Sequence, residues 1–242
     1  GEGIIENVIN ERLDVNVKII DVDGKDDFIK AINENNFVIT IFDMHGGYDE
    51  NNGGFLLLKD GPVYLSRVTN DIDVSPIIIL SACDTSPVDK GSDSVSDGFF
   101  RSGAITLISS ALPIHSGLSS IFVARLLERI RILLPIELKR RRIRWSTFVS
   151  GMIRRTYYLE LANRLQTELK FSNDVRNKIL FETGMLIDPI ADNWHKSCFE
   201  IILKYTGKDN SWLEKLIETQ FQFFECLKYF QIGRPDLIIL EK

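Results

Sequence analysis

Pro76-Ile77-Ile78-Ile79-Leu80-Ser81-Ala82-Cys83 is the stretch on which the fold turns. Four apolar residues follow one another with no polar alternation, the pattern of a strand buried on both faces rather than one. Phe37-Val38-Ile39-Thr40-Ile41-Phe42 upstream has the same character, and Ala104 to Ser109 downstream gives a third such strand. Helical patterns lie between them, over Asp26–Asn33 after the Asp23-Gly24 turn and over Val95–Ser102. Phe55–Leu58 and Val63–Leu65, separated by Lys59-Asp60-Gly61-Pro62, predict a hairpin. Val15, Val17 and Ile19 alternate with polar residues and predict a first strand. Strands alternating with helices indicate an α/β fold with a mostly parallel sheet, in which sites form outside the carboxyl ends of the strands.

The second half of the chain reads differently. Val123, Leu126, Leu127 and Ile130 give a helix over Leu118–Ile130, and Val149, Ile153, Tyr157, Leu161 and Leu165 recur every four residues in a long helix. Ser172–Leu186, Cys198–Tyr205 and Trp212–Phe230 are expected to be helical, and Asp236–Leu240 to form an edge strand. Pro135 and the basic run Lys139–Arg144 mark the changeover. The expected organisation is therefore a core over residues 1–135 and a mostly helical continuation over 136–242 that packs on it. No repeat of a solenoid is visible. The basic run reads as a solvated helix face, with a docking surface for an acidic partner or an RNA backbone as the alternative.

Composition narrows the function classes. The 242 residues are 44% hydrophobic and 26% charged, ordinary for a globular protein. A net charge of −5 gives no electrostatic basis for general nucleic-acid binding, so nucleic acid is expected only indirectly, through a partner. No apolar run approaches the ~20 residues of a membrane span. Gly1-Glu2-Gly3-Ile4 has neither the basic start nor the apolar stretch of a secretory signal, and no initiator Met. The chain is expected to be a fragment, a processed piece or an engineered form, with a partner N-terminal to it. Cys83, Cys198 and Cys226 are too few for a disulfide framework, which points to a reducing cytoplasm. His45, His115 and His195 are scattered and lack zinc-ligand spacing, and no Gly-rich phosphate loop follows the first strand, so neither metal nor cofactor is expected.

Two segments carry candidate chemistry. Phe42-Asp43-Met44-His45-Gly46-Gly47 follows one buried strand, and Leu80-Ser81-Ala82-Cys83-Asp84-Thr85 follows another. If these strands are parallel neighbours, His45 and Cys83 face each other at the site edge of the sheet. A thiol with an ordinary pKa near ~8.5 is only slightly ionised at neutral pH, and an imidazole beside it can take its proton and later protonate a leaving amine. Attack on a carbonyl makes an oxyanion that needs N–H donors. The backbone N–H groups of Gly46, which has no side chain to obstruct approach, and of Cys83 are the candidates.

A buried strand ending in His-Gly, an acidic loop and hairpin, and a strand ending in Leu80-Ser81-Ala82-Cys83-Asp84-Thr85 together resemble the CHAT peptidases, relatives of caspases, separases and gingipains. The resemblance continues through Asp97-Gly98-Phe99-Phe100-Arg101-Ser102-Gly103-Ala104 and Leu107-Ile108-Ser109-Ser110-Ala111-Leu112, and covers roughly residues 35–130. The Cys segment is its specific part, and the Gln-Ala-Cys signature of caspases proper is absent. Asp84 stands where the family more often has Glu, and Leu112-Pro113 where it usually has a Trp. The resemblance implies a caspase-like sheet and a regulated cysteine endopeptidase with His45 and Cys83 as its dyad. Such domains are commonly attached to a sensor, often in prokaryotic defence or cell-death systems. It implies a protein substrate and a small-residue strand end, Ser109-Ser110, beside the cleft. Asp84 either lines the pocket for the residue before the cut, favouring Lys or Arg, or caps a turn.

The other residues read more plainly. Cys198 and Cys226, in apolar helical settings, are expected to be inert core thiols. His195 is expected to be structural and His115 to lie in a surface loop, while Asp43, whose side chain is only loosely on the side of His45, is a minor candidate to orient it. Thr85–Asp93 is either an activation loop beside the nucleophile or a plain surface loop. An inactive scaffold that only binds partners, and another thiol acyl hydrolase such as a thioesterase, are the alternative functions.

Overall fold

The computed structural model describes residues 16–81, 93–110, 112, 116–187, 193–220 and 224–241. The chain divides into two compact units, one formed by Gly1–Ser146 with Lys228–Lys242, the other by Thr147–Leu227.

The first unit is built on a four-stranded sheet in the order β1-β5-β6-β8. β1 is Ile39–Phe42, β5 Ile77–Leu80, β6 Thr106–Ser110 and β8 Tyr229–Gly233. β1, β5 and β6 are parallel, with Phe42 opposite Leu80 and Ile79 opposite Ile108. β8 runs antiparallel beside β6, pairing Thr106 with Gly233 and Ser110 with Tyr229. The fold is thus mixed α/β with a partly parallel sheet. All four residues of β5 are inaccessible, as their unbroken apolar run requires for a strand paired on both sides and covered on both faces.

One face of this sheet carries a single core. Ile78 and Leu80 of β5, Phe42 of β1 and Leu107 of β6 meet Phe28 of helix α1 (Lys25–Asn33) and Phe99 of α2 (Val95–Arg101). The Phe42 and Phe99 rings stack at 4.8 Å between centroids. Leu56 and Leu58 of β3 (Gly53–Leu58) and Val63 of β4 (Gly61–Tyr64) join the cluster. These two strands and β2 (His45–Asp49) form a separate antiparallel sheet, β2-β3-β4. α3 (Ser116–Leu138) buries Val123, Leu126 and Ile130, and its Phe122 ring stacks on Tyr229 of β8 at 3.8 Å. A small antiparallel pair, β7 (Ile143–Arg144) with β9 (Ile239–Leu240), ties the chain end back to this unit.

The second unit is helical: α4 (Trp145–Leu169), whose first residues belong to the other unit, α5 (Asn173–Leu186), α6 (Trp194–Thr206) and α7 (Asn210–Gln220). Tyr158, Leu161 and Leu165 of α4 pack with Ile179, Cys198, Ile202, Leu213 and Phe224. α6 ends at Gly207, whose φ of 65° is the left-handed cap conformation that glycine adopts without penalty. Among the described residues no helix is long and apolar enough to cross a membrane.

Four sequence expectations need correction. Residues 16–22 form no strand, and Ile19 is 59% exposed; alternation without a partner strand is not enough (Val15 lies outside the described residues). β1 is the end strand of the described sheet rather than a fully buried one, and Val38 before it is 66% exposed. The helix expected over Trp212–Phe230 ends at Gln220, and Tyr229–Gly233 is instead a strand, since pairing with β6 more than a hundred residues away overrides the local helical pattern. The changeover lies later than residue 135: Pro135 sits inside α3, the helical unit begins at Thr147, and the last residues return to the sheet unit.

Two substitutions probe these units. A Cβ on Gly98 would lie 2.3 Å from Leu65 Cβ, so Gly98→Ala is expected to destabilise the sheet unit by about 3 kcal/mol in urea unfolding. Leu161→Ala, at a fully buried position, is expected to cost the helical unit about 3 kcal/mol by the same measurement.

Candidate active site

Parallel pairing brings the carboxyl ends of β1, β5 and β6 to one edge of the sheet. The β1–β5 ladder extends one step beyond the strands, where the Ser81 amide donates to the Phe42 carbonyl at 2.9 Å. The side chains then take over: Ser81 Oγ donates to Asp43 Oδ1 at 3.0 Å. The two segments that leave the sheet here, one leading to His45 and the other to Cys83, are therefore bonded to each other as they depart. The Asp43 carboxylate accepts this tether at Oδ1 and makes no hydrogen bond to the His45 side chain among the described residues.

His45 opens β2, three residues beyond β1, opposite Leu57 of β3. Its side chain is exposed and has no hydrogen-bond partner among the described residues. Gly46 pairs with Leu56 and Gly47 with Phe55. A Cβ on Gly47 would lie 2.6 Å from the Phe55 ring, so the second glycine is required by packing inside the hairpin. At the far end of the hairpin Asp49 accepts from the Asn51 and Asn52 amides at 2.9 and 2.8 Å. These bonds, the Asn51 amide first, hold its carboxyl below the usual range.

The far side of the candidate loop is anchored as firmly. The Gly54 amide donates to the Asp93 carbonyl at 2.6 Å. A Cβ on Gly54 would lie 2.2 Å from the Val95 amide nitrogen, and one on Gly53, where φ is +84°, 2.7 Å from the Asp93 carbonyl. Only glycines let the start of α2 lie this close against β3. Ser94 and Asp97 then cap that helix reciprocally, with Asp97 N donating to Ser94 Oγ at 3.2 Å and Ser94 N to Asp97 Oδ2 at 3.0 Å.

Cys83 and Asp84, and the candidate loop up to residue 92, lie outside the described residues, as does His115. Ser109 and Ser110, candidates for a substrate pocket, end β6 and are wholly buried. Ser110 Oγ accepts from the Leu112 amide at 3.2 Å and donates to the Leu112 carbonyl, so its hydroxyl holds the turn after the strand.

The helical unit holds the other thiols. Cys198 is buried and directs its thiol at the Thr183 carbonyl, 3.7 Å away; burial pushes its pKa up to about 11. Cys226 is also buried. His195 Nδ1 is hydrogen-bonded to Tyr158 Oη at 2.8 Å, and its ring lies 4.4 Å from that of Phe199; burial lowers its pKa.

Sequence reasoning did not find the two anchors of the candidate loop. The Gly53-Gly54 pair and the Ser94-x-x-Asp97 spacing were the available signals for the second; the first, between Asp43 and Ser81, depends on tertiary pairing and leaves no local signature. No family model matches this chain, and no curated protein matches it.

Proposed function

We propose that the chain is a regulated cysteine endopeptidase that acts through Cys83 and His45, with the caspase-like resemblance as its prior. The observation that supports it is the tether from Ser81 to Asp43. Cys83 follows Ser81, and His45 follows Asp43, by two peptide units, which reach at most about 7 Å. Both residues of the dyad thus leave from one hydrogen-bonded point at the carboxyl edge of a parallel sheet, where α/β folds form their sites.

In this reading the His45 imidazole takes the Cys83 proton, and the thiolate attacks the scissile carbonyl of a protein substrate. The new S–C bond converts the carbonyl to an oxyanion, met by the backbone N–H groups of Gly46 and Cys83. Collapse expels the amine, which takes its proton from His45, and water then hydrolyses the thioester. Asp84 is the candidate for a contact to the residue before the cut, whereas Ser109 and Ser110, both wholly buried, could only support that pocket from behind. The Ser110 hydroxyl would act from beneath the site, through the turn it holds, rather than on substrate. A sensor attached N-terminal to the catalytic unit, with cleavage in a defence or cell-death response, is the regulatory setting that the resemblance suggests.

A thiol-directed acyl probe and a peptide library test the dyad, on this chain alone and with the proposed sensor present. Cys83→Ala is expected to abolish labelling and cleavage, and His45→Ala to lower both by about a hundredfold or more. At pH 8 a thiol with the pKa of Cys198 is thiolate in only about one molecule in a thousand, so Cys198 is expected to stay unlabelled in the folded chain. Unchanged cleavage in Cys83→Ala, or labelling that follows Cys198, would falsify the assignment. Absence of all labelling under both conditions would favour a scaffold.

Ser81→Ala removes the tether without touching either proposed catalytic group. It is expected to lower stability by about 1 kcal/mol, with kcat falling more than KM rises.

A further inference from the structure

The helical unit contains a cleft of about 450 Å³ between α4, α6 and α7, within the range that encloses small ligands. Its walls are mostly apolar and aromatic, with Tyr157 and Phe199 among them. Three polar features converge on it.

The first is Arg154. Its guanidinium lies 4.7 Å from the centre of the Trp194 ring, and its Nη1 is shielded from solvent with no hydrogen-bond partner among the described residues. A sequestered cationic donor without an acceptor is costly unless something supplies one. The second is the pair Glu214 and Glu218, one helical turn apart on α7 and both lining the cleft. Neither carboxylate has an ion-pair partner among the described residues, and like charges at this spacing repel. The third is His195: its Nδ1 is committed to Tyr158, which leaves Nε2 without a partner among the described residues.

We propose that this cleft binds a small zwitterion with an apolar body, namely an apolar amino acid or dipeptide with both termini free. Its carboxylate meets Arg154, its ammonium meets Glu214 and Glu218, and its side chains lie against the aromatic wall. The charges argue for this class over a simple anion or cation. Two carboxylates outnumber one guanidinium, which disfavours a purely anionic ligand. A purely cationic ligand would leave Arg154 Nη1 without an acceptor. The site is independent of the proposed peptidase dyad, and its test does not use peptidase activity.

Isothermal titration with leucyl-phenylalanine, its N-acetyl form and its C-terminal amide tests the proposal on the intact chain. The free dipeptide is expected to bind saturably, with each capped form roughly tenfold weaker, the loss of one charge-assisted hydrogen bond. Arg154→Met is expected to abolish discrimination against the amide alone. Glu214→Gln combined with Glu218→Gln is expected to abolish discrimination against the acetyl form alone, with circular dichroism checking that each variant folds. The capped-ligand comparison on the unaltered chain stands even if a variant fails to fold. Equal affinity for all three forms would overturn the proposal in favour of an apolar docking groove for a peptide segment. No saturable binding at millimolar dipeptide would overturn it outright.

Discussion

The parallel pairing of β1 with β5 is the constraint on which the sheet unit depends. Parallel strands cannot be joined by a short turn, so everything between Phe42 and Ile77 must leave the sheet at one end and re-enter at the other. The antiparallel β2-β3-β4 sheet and the 3-10 turn at Leu65–Arg67 make that return journey. Their apolar side chains, Leu56, Leu58, Val63 and Leu65, supply part of the core under which β5 is buried. The connection is thus a structural layer in its own right, and the same excursion carries His45 to the edge where β5 ends.

The elements legible in the sequence were those whose pattern is local. The unbroken run Ile77–Leu80 and the period-four spacing from Val149 to Leu165 each decide their structure within a few residues. Where the deciding contact is distant, the pattern misleads. His45-Gly46-Gly47-Tyr48-Asp49 has two glycines and reads as a loop, yet pairing with β3 makes it a strand. Tyr229–Gly233 reads as the tail of a helix, yet β6 claims it. The candidate site shows the same division. His45 and Cys83 were visible as residue types after buried strands, whereas the Ser81–Asp43 bond between their approaches exists only once those strands are neighbours.

The helical unit reaches its core by another route. Tyr158, fully buried, satisfies its hydroxyl on His195, and burial raises its pKa well above the ordinary tyrosine value. The hydroxyl of Tyr158 is thus buried with a hydrogen-bond partner, and its raised pKa keeps it protonated, so the core gains a polar group without a buried charge. His195 is therefore linked to the core through Tyr158, and Cys198 is a packing residue of that core. Desolvation holds its thiol protonated.

The junction of Gly53 and Gly54 with Asp93 and Ser94 has an evolutionary corollary. Together with Ser81 at the other end, it fixes two posts for the intervening chain, and each post is held by backbone hydrogen bonds that do not depend on what lies between them. Closing a longer segment between fixed ends costs only slowly more entropy as residues are added. Insertions and deletions between residues 85 and 92 would therefore leave the sheet, α2 and the hairpin largely indifferent. Length variation at this one point would thus be constrained separately from, and less strictly than, the framework around it.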